Sequence, residues 1–438
     1  MTDPPAFPER LIARPGAALV GEAAIPGDKS CSHRALILGA IASGITRIEG
    51  LLESDDLLAT VRALEAFGIV IDRDGPGRWR VEGGAWRSPV APIDCGNSGT
   101  AARLLIGAVA GMPGVSATFT GDTSLNRRPM RRLVAPLRRM GASIDGDDRL
   151  PLTIHGARLG GIDFANVPAS AQVKSAILLA GLGTTAPVRV TEPLASRDHS
   201  EIMLGQFGVD VLVDDGVVTL ADRRVLAACA LSIASDPSSA AFPLVAAAIV
   251  PGSAVTVRDI LVNPHRTGLY EVLERMGADI RLSNETIRSG EVVADVEVRH
   301  SDLRGCDVSA AEVVSMIDEI PALAVACAMA DGESMIEGLG ELRHKESDRL
   351  GAIVAGLAAA GVVSIPDGDA LRIFGRGQVR GGADVVTHGD HRIAMAFLTL
   401  GLASQQPIAV DGAEMIATSF PGFVEVMNGL GADIGEAA

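Results

Sequence analysis

The chain has 438 residues, of which 47% are hydrophobic and 21% charged, so it is globular and too long for one ordinary core, and two large domains are expected. Its formal net charge of −16 argues against nucleic-acid or membrane partners, because those surfaces bind clustered basic residues. Five cysteines without a CxxC pair indicate reduced thiols and a cytoplasmic protein.

In chain order, the sequence repeats one pattern six times. Each copy opens with a polar head that runs directly into an apolar helix, and a β-branched stretch and a second, amphipathic helix follow. The heads are GDKSCSHR, DCGNSGT, PASAQVK, SDPSSA, MIDEIP and HGDHR, and the second helices close at Gly68, Gly141, Gly208, Gly277, Gly361 and Gly431. Each copy, of roughly 70 residues, is therefore predicted to be a βαβαββ unit whose closing glycine turns the chain into a strand.

The first helix of every copy is apolar on all sides and must therefore be buried. Three units could pack these helices at a centre and place their sheets outside, and two such domains exhaust the chain. A short N-terminal strand precedes the first unit and would complete the second domain. We therefore expect a discontinuous domain of residues 1–27 and 235–438, an inserted domain of residues 28–234, and a ligand site in the cleft between them.

The polar heads have the features of anion-binding sites. A helix N-terminus presents unpaired N–H groups and a partial positive charge, and this acidic chain places basic residues at the same points. Lys29 and Arg34 lie in the first head and Arg392 in the sixth, while Arg128 stands in the loop NRRPM, Arg197 in SRDHSE, and Lys345 and Arg349 in HKESDR. Ser30, Ser170 and Gln172 add neutral groups. Isolated surface cations are the alternative, but their concentration at the heads favours phosphate and carboxylate ligands.

Two acids, Asp318 and Glu346, stand among these cations. Taken alone, Asp318 could be a helix N-cap and Glu346 one half of a helical ion pair. Their placement within a cationic site favours acid–base chemistry instead. His388 and His391 lack neighbouring ligands at metal-binding spacing, and residues 375–381 lack the context of a dinucleotide loop, so neither a metal nor a cofactor is expected.

Eight motifs in order, GDKSCSHR, GNSGTAAR, RPM, SAQVK, RDHSE, IDE, KESDR and GDHR, resemble the class II branch of the 5-enolpyruvylshikimate-3-phosphate synthases over nearly the whole chain. The resemblance implies an α/β fold, the two-domain inside-out α/β barrel of enolpyruvyl transferases, acting as a monomer without metal or cofactor. It also implies transfer of the carboxyvinyl group of phosphoenolpyruvate to the 5-hydroxyl of shikimate 3-phosphate.

The resemblance further implies roles for individual residues. The charges of the reaction make Asp318 the candidate base and Glu346 the candidate proton donor, with Lys29 as the rival donor. The binding roles come from the resemblance. Shikimate 3-phosphate would contact Lys29, Ser30, Arg34, Ser170, Ala171, Gln172, Arg197, Asp318 and Lys345. Phosphoenolpyruvate would contact Lys29, Gly99, Arg128, Gln172, Arg349 and Arg392. Two positions depart from the family pattern, since Ala171 replaces a serine found in many relatives and Thr418 stands where many have a lysine.

Two other functions fit the same repeats less well. The enolpyruvyl transferases that act on UDP-N-acetylglucosamine usually have asparagine in place of Ser30 and a cysteine in the loop before the Arg-Pro pair, whereas this loop, GDTSLNRRP, has none. A non-catalytic binding protein of the same fold would be expected to lose Asp318 or Glu346, and both are present.

Overall fold

The computed structural model describes residues 7–437 and divides into two compact units. The terminal unit comprises residues 7–26, Ala234–Thr286 and 292–437. The inserted unit comprises Gly27–Ile233 together with Ile287–Glu291. The helices and strands of both units follow the predicted alternation.

Two short strands, β1 (Leu11–Arg14) and β2 (Val20–Ala23), precede the inserted unit. The strands of the inserted unit are β3 (Gly44–Glu49), β4 (Val70–Gly75), β5 (Arg78–Gly83), β6 (Ile93–Asp94), β7 (Ser116–Thr120), β8 (Ser143–Asp145), β9 (Leu152–His155), β10 (Ile162–Ala165), β11 (Val188–Thr191), β12 (Val211–Asp214), β13 (Val217–Leu220) and β14 (Ala230–Ser232). Its helices are α1 (Lys29–Ile41), α2 (Asp55–Ala66), α3 (Gly99–Ala110), α4 (Thr123–Arg127), α5 (Arg131–Arg139), α6 (Ala171–Gly181) and α7 (His199–Gln206).

The second half of the chain continues in the same order. Its strands are β15 (Ala254–Leu261), β16 (Asp279–Arg288), β17 (Glu291–Arg299), β18 (Asp307–Val308), β19 (Asp331–Ile336), β20 (Val363–Asp367), β21 (Ala370–Arg376), β22 (Gly381–Val385), β23 (Gln406–Val410) and β24 (Asp433–Glu436). Its helices are α8 (Pro237–Ile249), α9 (Gly268–Arg275), α10 (Ala310–Val313), α11 (Ile320–Met329), α12 (Arg349–Ala359), α13 (His391–Ala403) and α14 (Phe423–Gly429), with 3-10 turns at Leu339–His344 and Ala413–Thr418.

These strands form six four-stranded sheets, which confirms the six predicted repeats. Across the sheets the strand orders are β14-β3-β5-β4, β6-β7-β9-β8, β10-β11-β13-β12, β2-β15-β17-β16, β18-β19-β21-β20 and β22-β23-β1-β24. In every sheet the first strand is parallel to the second, as β6 is to β7, and the third is antiparallel to the second, as β9 is to β7. In four of the sheets an apolar helix bridges the parallel pair, because a parallel connection needs a crossover, whereas the parallel strands β14 and β2 of the other two sheets come from elsewhere in the chain.

The N-terminal segment differs from the prediction of a single strand, because the structure has two strands there and they belong to different sheets. β1 pairs with β23 and β24 in the sixth sheet, while β2 pairs with β15 in the fourth. The first sheet likewise takes its first strand, β14, from the chain after the third repeat. Each unit is therefore completed by strands that lie far away in sequence.

The apolar helices lie at the centre of their units, as predicted. In the terminal unit α8, α11 and α13 contact one another, and every residue of α8 is buried. In the inserted unit α3 packs closely on α6, where a Cβ on Gly107 would lie 2.5 Å from the carbonyl oxygen of Ala176. The six closing glycines have φ between 84° and 111°, the left-handed region that glycine adopts without strain.

None of the helices within residues 7–437 combines the length and apolarity that crossing a bilayer requires. All five cysteines are free thiols. Burial raises the pKa of Cys95 and of Cys327 to about 12, so both are protonated and unreactive at neutral pH.

Candidate active site

The first polar head forms the N-terminus of α1. Asp28 caps this helix, because its carboxylate accepts a hydrogen bond from the Cys31 amide at 2.7 Å. Lys29 is the first helical residue, and its ammonium forms an ion pair with Asp56 at the start of α2. Ser30 is half-buried beside it. Asp56 was not predicted, since only folding brings the second helix beside the first head.

Arg34 is 3% exposed and lies one turn further along α1. It donates from Nε to Ser200 Oγ at 2.7 Å, from Nη2 to Ser175 Oγ at 2.7 Å and from Nη1 to the Ser30 carbonyl at 3.0 Å. Burial lowers the pKa of its guanidinium, although Cys31 and Glu201 oppose that shift. These hydrogen-bond partners are all neutral oxygens, so they orient the guanidinium without cancelling its charge.

The second and third heads meet where α3 and α6 begin. Gln172 accepts from Arg103 Nη1 at 2.9 Å and donates to Thr100 Oγ1 at 2.9 Å. A Cβ on Gly99 would lie 2.5 Å from Arg103 Nη1 and 3.1 Å from Arg128 Nη1. The predicted residues Gly99, Arg128 and Gln172 therefore come together around one further residue, Arg103.

Arg103 was not assigned a role from sequence, although it is the last letter of GNSGTAAR and stands four residues after Gly99. That spacing places both on one face of a helix and is the signal that could have identified it. Arg128 follows α4 and donates from Nη2 to Asn97 Oδ1 at 2.6 Å. Two arginines therefore flank the glycine at the N-terminus of α3.

Ser170 and Ala171 form the start of α6, where Ser170 is the N-cap residue and its side chain makes no capping bond. Arg197 lies in the loop between β11 and α7, two residues before that helix, and is half-buried. Ala171 has no hydroxyl, so at this position only the backbone amide is offered to a ligand.

Three buried side chains could in principle hold a metal ion: the ligand atoms of Asp28, Cys31 and His199 lie within 4.8 Å of one another. His199 Nδ1 also pairs with Glu291 Oε1 at 2.7 Å. A structural zinc site has four ligands, and the positive end of α1 beside Lys29 disfavours a cation. The donor set therefore does not favour a metal here.

In the terminal unit, three of the predicted cations contact Asp318. Its Oδ1 lies 3.0 Å from Lys345 Nζ and 3.3 Å from Arg349 Nη1, and its backbone carbonyl accepts from Arg392 Nη1 at 2.9 Å. The alternative of a helix N-cap is wrong for Asp318, because the N-cap residue of α11 is Glu319. Its carboxylate is instead held by cations.

Arg349 is 1% exposed and connects three acids. Beside Asp318, it contacts Glu346 Oε2 at 2.6 Å from Nη2 and Asp390 Oδ2 at 2.8 Å from Nε. Burial alone would lower the pKa of Arg349, but Asp390, Glu346 and Asp318 outweigh burial and raise it, so the guanidinium stays charged. The ion pair of Glu346 is therefore observed, within a larger network, but it is not a helical pair because Glu346 precedes α12.

Asp390 was missed from sequence although it belongs to the GDHR head. It caps α13 by accepting from the Arg392 amide at 3.0 Å, and it holds Arg349 at the same time.

Thr418, which replaces a lysine of many relatives, ends a 3-10 turn and donates to the Met415 carbonyl at 2.7 Å. Its hydroxyl therefore stabilises the 3-10 turn.

Comparisons with known proteins identify the family of the chain. The model of a family described as EPSP synthase (3-phosphoshikimate 1-carboxyvinyltransferase) matches residues 13–427. A 3-phosphoshikimate 1-carboxyvinyltransferase from Caulobacter vibrioides (strain NA1000 / CB15N) is 53% identical, covering 98% of this chain and 99% of the relative, and one from Phenylobacterium zucineum (strain HLK1) is 52% identical, covering 97% and 95%. The solved structure of EPSP synthase from Acinetobacter baumannii aligns with a TM-score of 0.86 at 40% identity, covering 98% of this chain and all of that one.

The structural similarity confirms the expected enolpyruvyl transferase fold, and the matches favour neither the UDP-N-acetylglucosamine reaction nor a non-catalytic protein. The names of the relatives describe a transferase, in agreement with the predicted enzyme class. The chain therefore belongs to the EPSP synthase (3-phosphoshikimate 1-carboxyvinyltransferase) family and is a transferase of aromatic amino-acid biosynthesis.

Proposed function

We propose that the chain transfers the carboxyvinyl group of phosphoenolpyruvate to the 5-hydroxyl of shikimate 3-phosphate and releases phosphate. The observation that carries this proposal is the Asp318 carboxylate, which is held by Lys345 and Arg349 in a member of this family. A carboxylate among cations is the arrangement needed to accept a hydroxyl proton beside anionic substrates.

The residues assigned to the two substrates are found in both units. Shikimate 3-phosphate is assigned to Lys29, Ser30, Arg34, Ser170, Ala171, Gln172, Arg197, Asp318 and Lys345. Phosphoenolpyruvate is assigned to Lys29, Gly99, Arg128, Gln172, Arg349 and Arg392. The contacts among Gly99, Arg128 and Gln172 in one unit, and around Asp318 in the other, support these two groups. We propose that both groups act on one pair of substrates.

The reaction follows from the charges. Asp318 accepts the proton of the 5-hydroxyl while the hydroxyl oxygen attacks C2 of phosphoenolpyruvate. At the same time C3 gains a proton and becomes a methyl group. The tetrahedral adduct then loses phosphate from C2 and a proton from C3, which restores the double bond. Lys345, Arg349 and Arg392 stabilise the anionic groups and the departing phosphate, an electrostatic role worth several kcal/mol in comparable sites.

Glu346 is the proposed donor to C3, and Lys29 is the rival. Glu346 contacts Arg349 at 2.6 Å, whereas Lys29 is paired with Asp56. The two are separated by deuterium exchange into C3 of phosphoenolpyruvate, measured in D2O with shikimate 3-phosphate present. Glu346→Gln should abolish the exchange if Glu346 is the donor, and Lys29→Met should leave it intact when both substrates are saturating.

Phosphate release tests the function itself. The purified protein should release phosphate only when both shikimate 3-phosphate and phosphoenolpyruvate are present, and a metal chelator should not stop it. Release with UDP-N-acetylglucosamine in place of shikimate 3-phosphate would contradict the proposal.

We further propose that the enzyme works as a cytoplasmic monomer without an organic cofactor. Five free cysteines support a reducing compartment, and a single chain supplies both groups of assigned residues. Light scattering of the protein as it elutes from a size-exclusion column should give the mass of one chain, 45.1 kDa.

A further inference from the structure

A buried carboxylate, Glu192, lies between two segments of the inserted unit that carry assigned phosphate-site residues. It follows β11 directly and is 4% exposed. One segment is the start of α6, with Ser170 as its N-cap, and the other is the loop that carries Arg197 before α7. Glu192 itself has no assigned role in the reaction.

The hydrogen bonds of Glu192 reach both segments. Asn166 Nδ2 donates to Glu192 Oε1 at 2.5 Å and to the Ser170 carbonyl at 3.0 Å, so one amide group joins the carboxylate to the head of α6. On the other side, the amide of Ser196 donates to Oε2 at 3.0 Å and its hydroxyl to Oε1 at 2.7 Å. Ser196 is the residue immediately before Arg197.

Lys174 supplies the counter-charge from within α6. Its ammonium lies 2.9 Å from Glu192 Oε2 and 2.7 Å from Glu201 Oε1, and it donates to the Ser196 carbonyl at 3.3 Å. Burial alone would lower the pKa of Lys174, but Glu201 and Glu192 raise it, so the lysine is charged. One lysine therefore serves two buried carboxylates, of which only Glu192 reaches Asn166 and Ser196.

Asn166, Lys174 and Glu192 are 1%, 2% and 4% exposed, so they are closed off from a ligand and can act only through their neighbours. A buried carboxylate with four donor groups has little freedom to move, because each lost hydrogen bond to a charged group is costly. We propose that Glu192, with Asn166 and Lys174, is a positioning network that holds Ser170 and Arg197 at the spacing required by the phosphate of shikimate 3-phosphate. This inference rests on the proposed function, which assigns both residues to that phosphate.

Glu192→Gln tests the network with little change of volume. Lys174 keeps Glu201 as its partner in this variant, so no buried charge is left alone. The expected result is a rise of about tenfold in the KM for shikimate 3-phosphate, because a misplaced binding group loses its contact. The KM for phosphoenolpyruvate and kcat should stay within about twofold. Equal rises in both KM values, or a lower melting temperature with unchanged KM values, would overturn the inference.

Glu201→Gln is the matched control. It removes a second buried carboxylate from the same lysine and leaves Lys174 paired with Glu192, but it does not touch Asn166 or Ser196. The KM for shikimate 3-phosphate should change by less than about twofold in this variant. A rise equal to that of Glu192→Gln would mean that buried charge, and not the link to the two segments, is what matters.

A double-mutant cycle with Arg197→Ala asks whether Glu192 acts through Arg197. If it does, the KM of the double variant should lie well below the product of the two single effects, because part of the Glu192 effect passes through Arg197 and the remainder through Ser170. If the KM of the double variant equals the product of the two single effects, the inference is overturned.

If Glu192→Gln does not fold, Ser196→Ala decides instead. This variant removes the hydroxyl donor to Glu192 and keeps the backbone amide, and a selective rise of about threefold in the KM for shikimate 3-phosphate is expected.

The outcomes also separate this inference from the proposed function. A wild-type protein that releases no phosphate from the two substrates would refute the proposed function. An active wild type whose Glu192→Gln variant is unselective, or additive with Arg197→Ala, would refute the positioning network alone.

Discussion

The two units hold their arginines in different ways. In the inserted unit Arg34 donates to two serine hydroxyls and one carbonyl, all of them neutral. In the terminal unit Arg349 contacts the carboxylates of Asp318, Glu346 and Asp390. Hydroxyls orient a guanidinium and leave its charge available, whereas carboxylates compensate it.

The difference indicates a division of labour. The charge of Arg34, held by neutral oxygens, suits the binding of an anionic substrate, and a network that contains both acids and cations suits proton transfer. His33 reports on the charge of the inserted unit, because burial lowers its pKa well below the usual value and Lys29 and Arg34 lower it further. Substitutions in each unit can therefore test the two sides of this comparison separately.

The largest effect is expected in the terminal unit, for Asp318→Asn. The amide preserves the shape of the site but cannot accept the hydroxyl proton, so kcat should fall by about 10²-fold or more with a smaller effect on both KM values. Steady-state phosphate release measures this. Glu333→Gln, which alters an exposed ion pair with Arg372 in the same unit, is the control. A kcat within a few-fold of wild type would remove Asp318 from the chemistry.

The second change, Arg34→Ala, belongs to the inserted unit and should act mainly on binding. Loss of a charge-assisted contact worth about 1.5–3 kcal/mol should raise the KM for shikimate 3-phosphate by roughly 10- to 100-fold, with kcat much less affected. Ser175 and Ser200 each lose one hydrogen bond in this variant, so the melting temperature should also fall. Arg62→Ala, on the exposed face of α2, is the control. A defect confined to phosphoenolpyruvate would contradict the assignment.

The third change, Gly99→Ala, places a methyl group 3.1 Å from Arg128 Nη1 and 2.5 Å from Arg103 Nη1. Overpacking costs about 1–3 kcal/mol, and a ligand longer than phosphoenolpyruvate should meet the methyl first. The inhibition constant of glyphosate should therefore rise by about tenfold, and the KM for phosphoenolpyruvate by less. Gly205→Ala is a matched control, because a Cβ there has no neighbour within 4 Å. Equal proportional changes would show that Gly99 does not discriminate between the two ligands.

The smallest effect concerns the stability of the protein in acid. The unfolded chain protonates His33 near its ordinary pKa of about 6.5, whereas the folded protein holds that pKa well below this value. The unfolded state therefore binds more protons as the pH falls below about 6.5, and the free energy of unfolding decreases, by up to about 1.4 kcal/mol per pH unit until the folded pKa is reached.

Urea unfolding at pH 7.5 and pH 5.5 measures this effect in wild type and in His33→Gln. Glutamine can still bond to Thr60, which lies 2.8 Å from His33 Nδ1, but it does not titrate. Between pH 7.5 and pH 5.5, the free energy of unfolding of the wild type should fall by about 1 kcal/mol more than that of the variant. Equal losses would mean that the inserted unit does not hold His33 neutral.

Much of this architecture could be predicted because it depends on local patterns. Four of the six polar heads cap their helix with a side chain, as Asp28 does for α1 and Asp390 for α13. Each closing glycine has the positive φ that its position requires. The six repeats and the cations at the helix starts followed from short-range rules that hold wherever such a segment folds.

Pairing across long distances in the chain was beyond those rules. β14 pairs with β3, and β1 pairs with β23, because each sheet needs a further strand to complete its hydrogen bonds. The local sequence of β14 or of β1 does not predict which strand it pairs with. Arg103 and Asp390 lay within recognised motifs, but their contacts with Gln172 and Arg349 could not be read from those motifs.

The sequence by itself determined that six polar heads run into six apolar helices and that six second helices close at glycines, because capping, periodicity and glycine conformation act within one turn or one repeat. Only the tertiary structure decided that Asp318 is held by cations instead of capping α11. It also decided that Glu192 accepts from Ser196, the residue before Arg197, and from Asn166, which donates to the Ser170 carbonyl as well. Those contacts depend on side chains from several distant segments converging in a buried place, where an unpaired polar group is costly and the available partners decide each role.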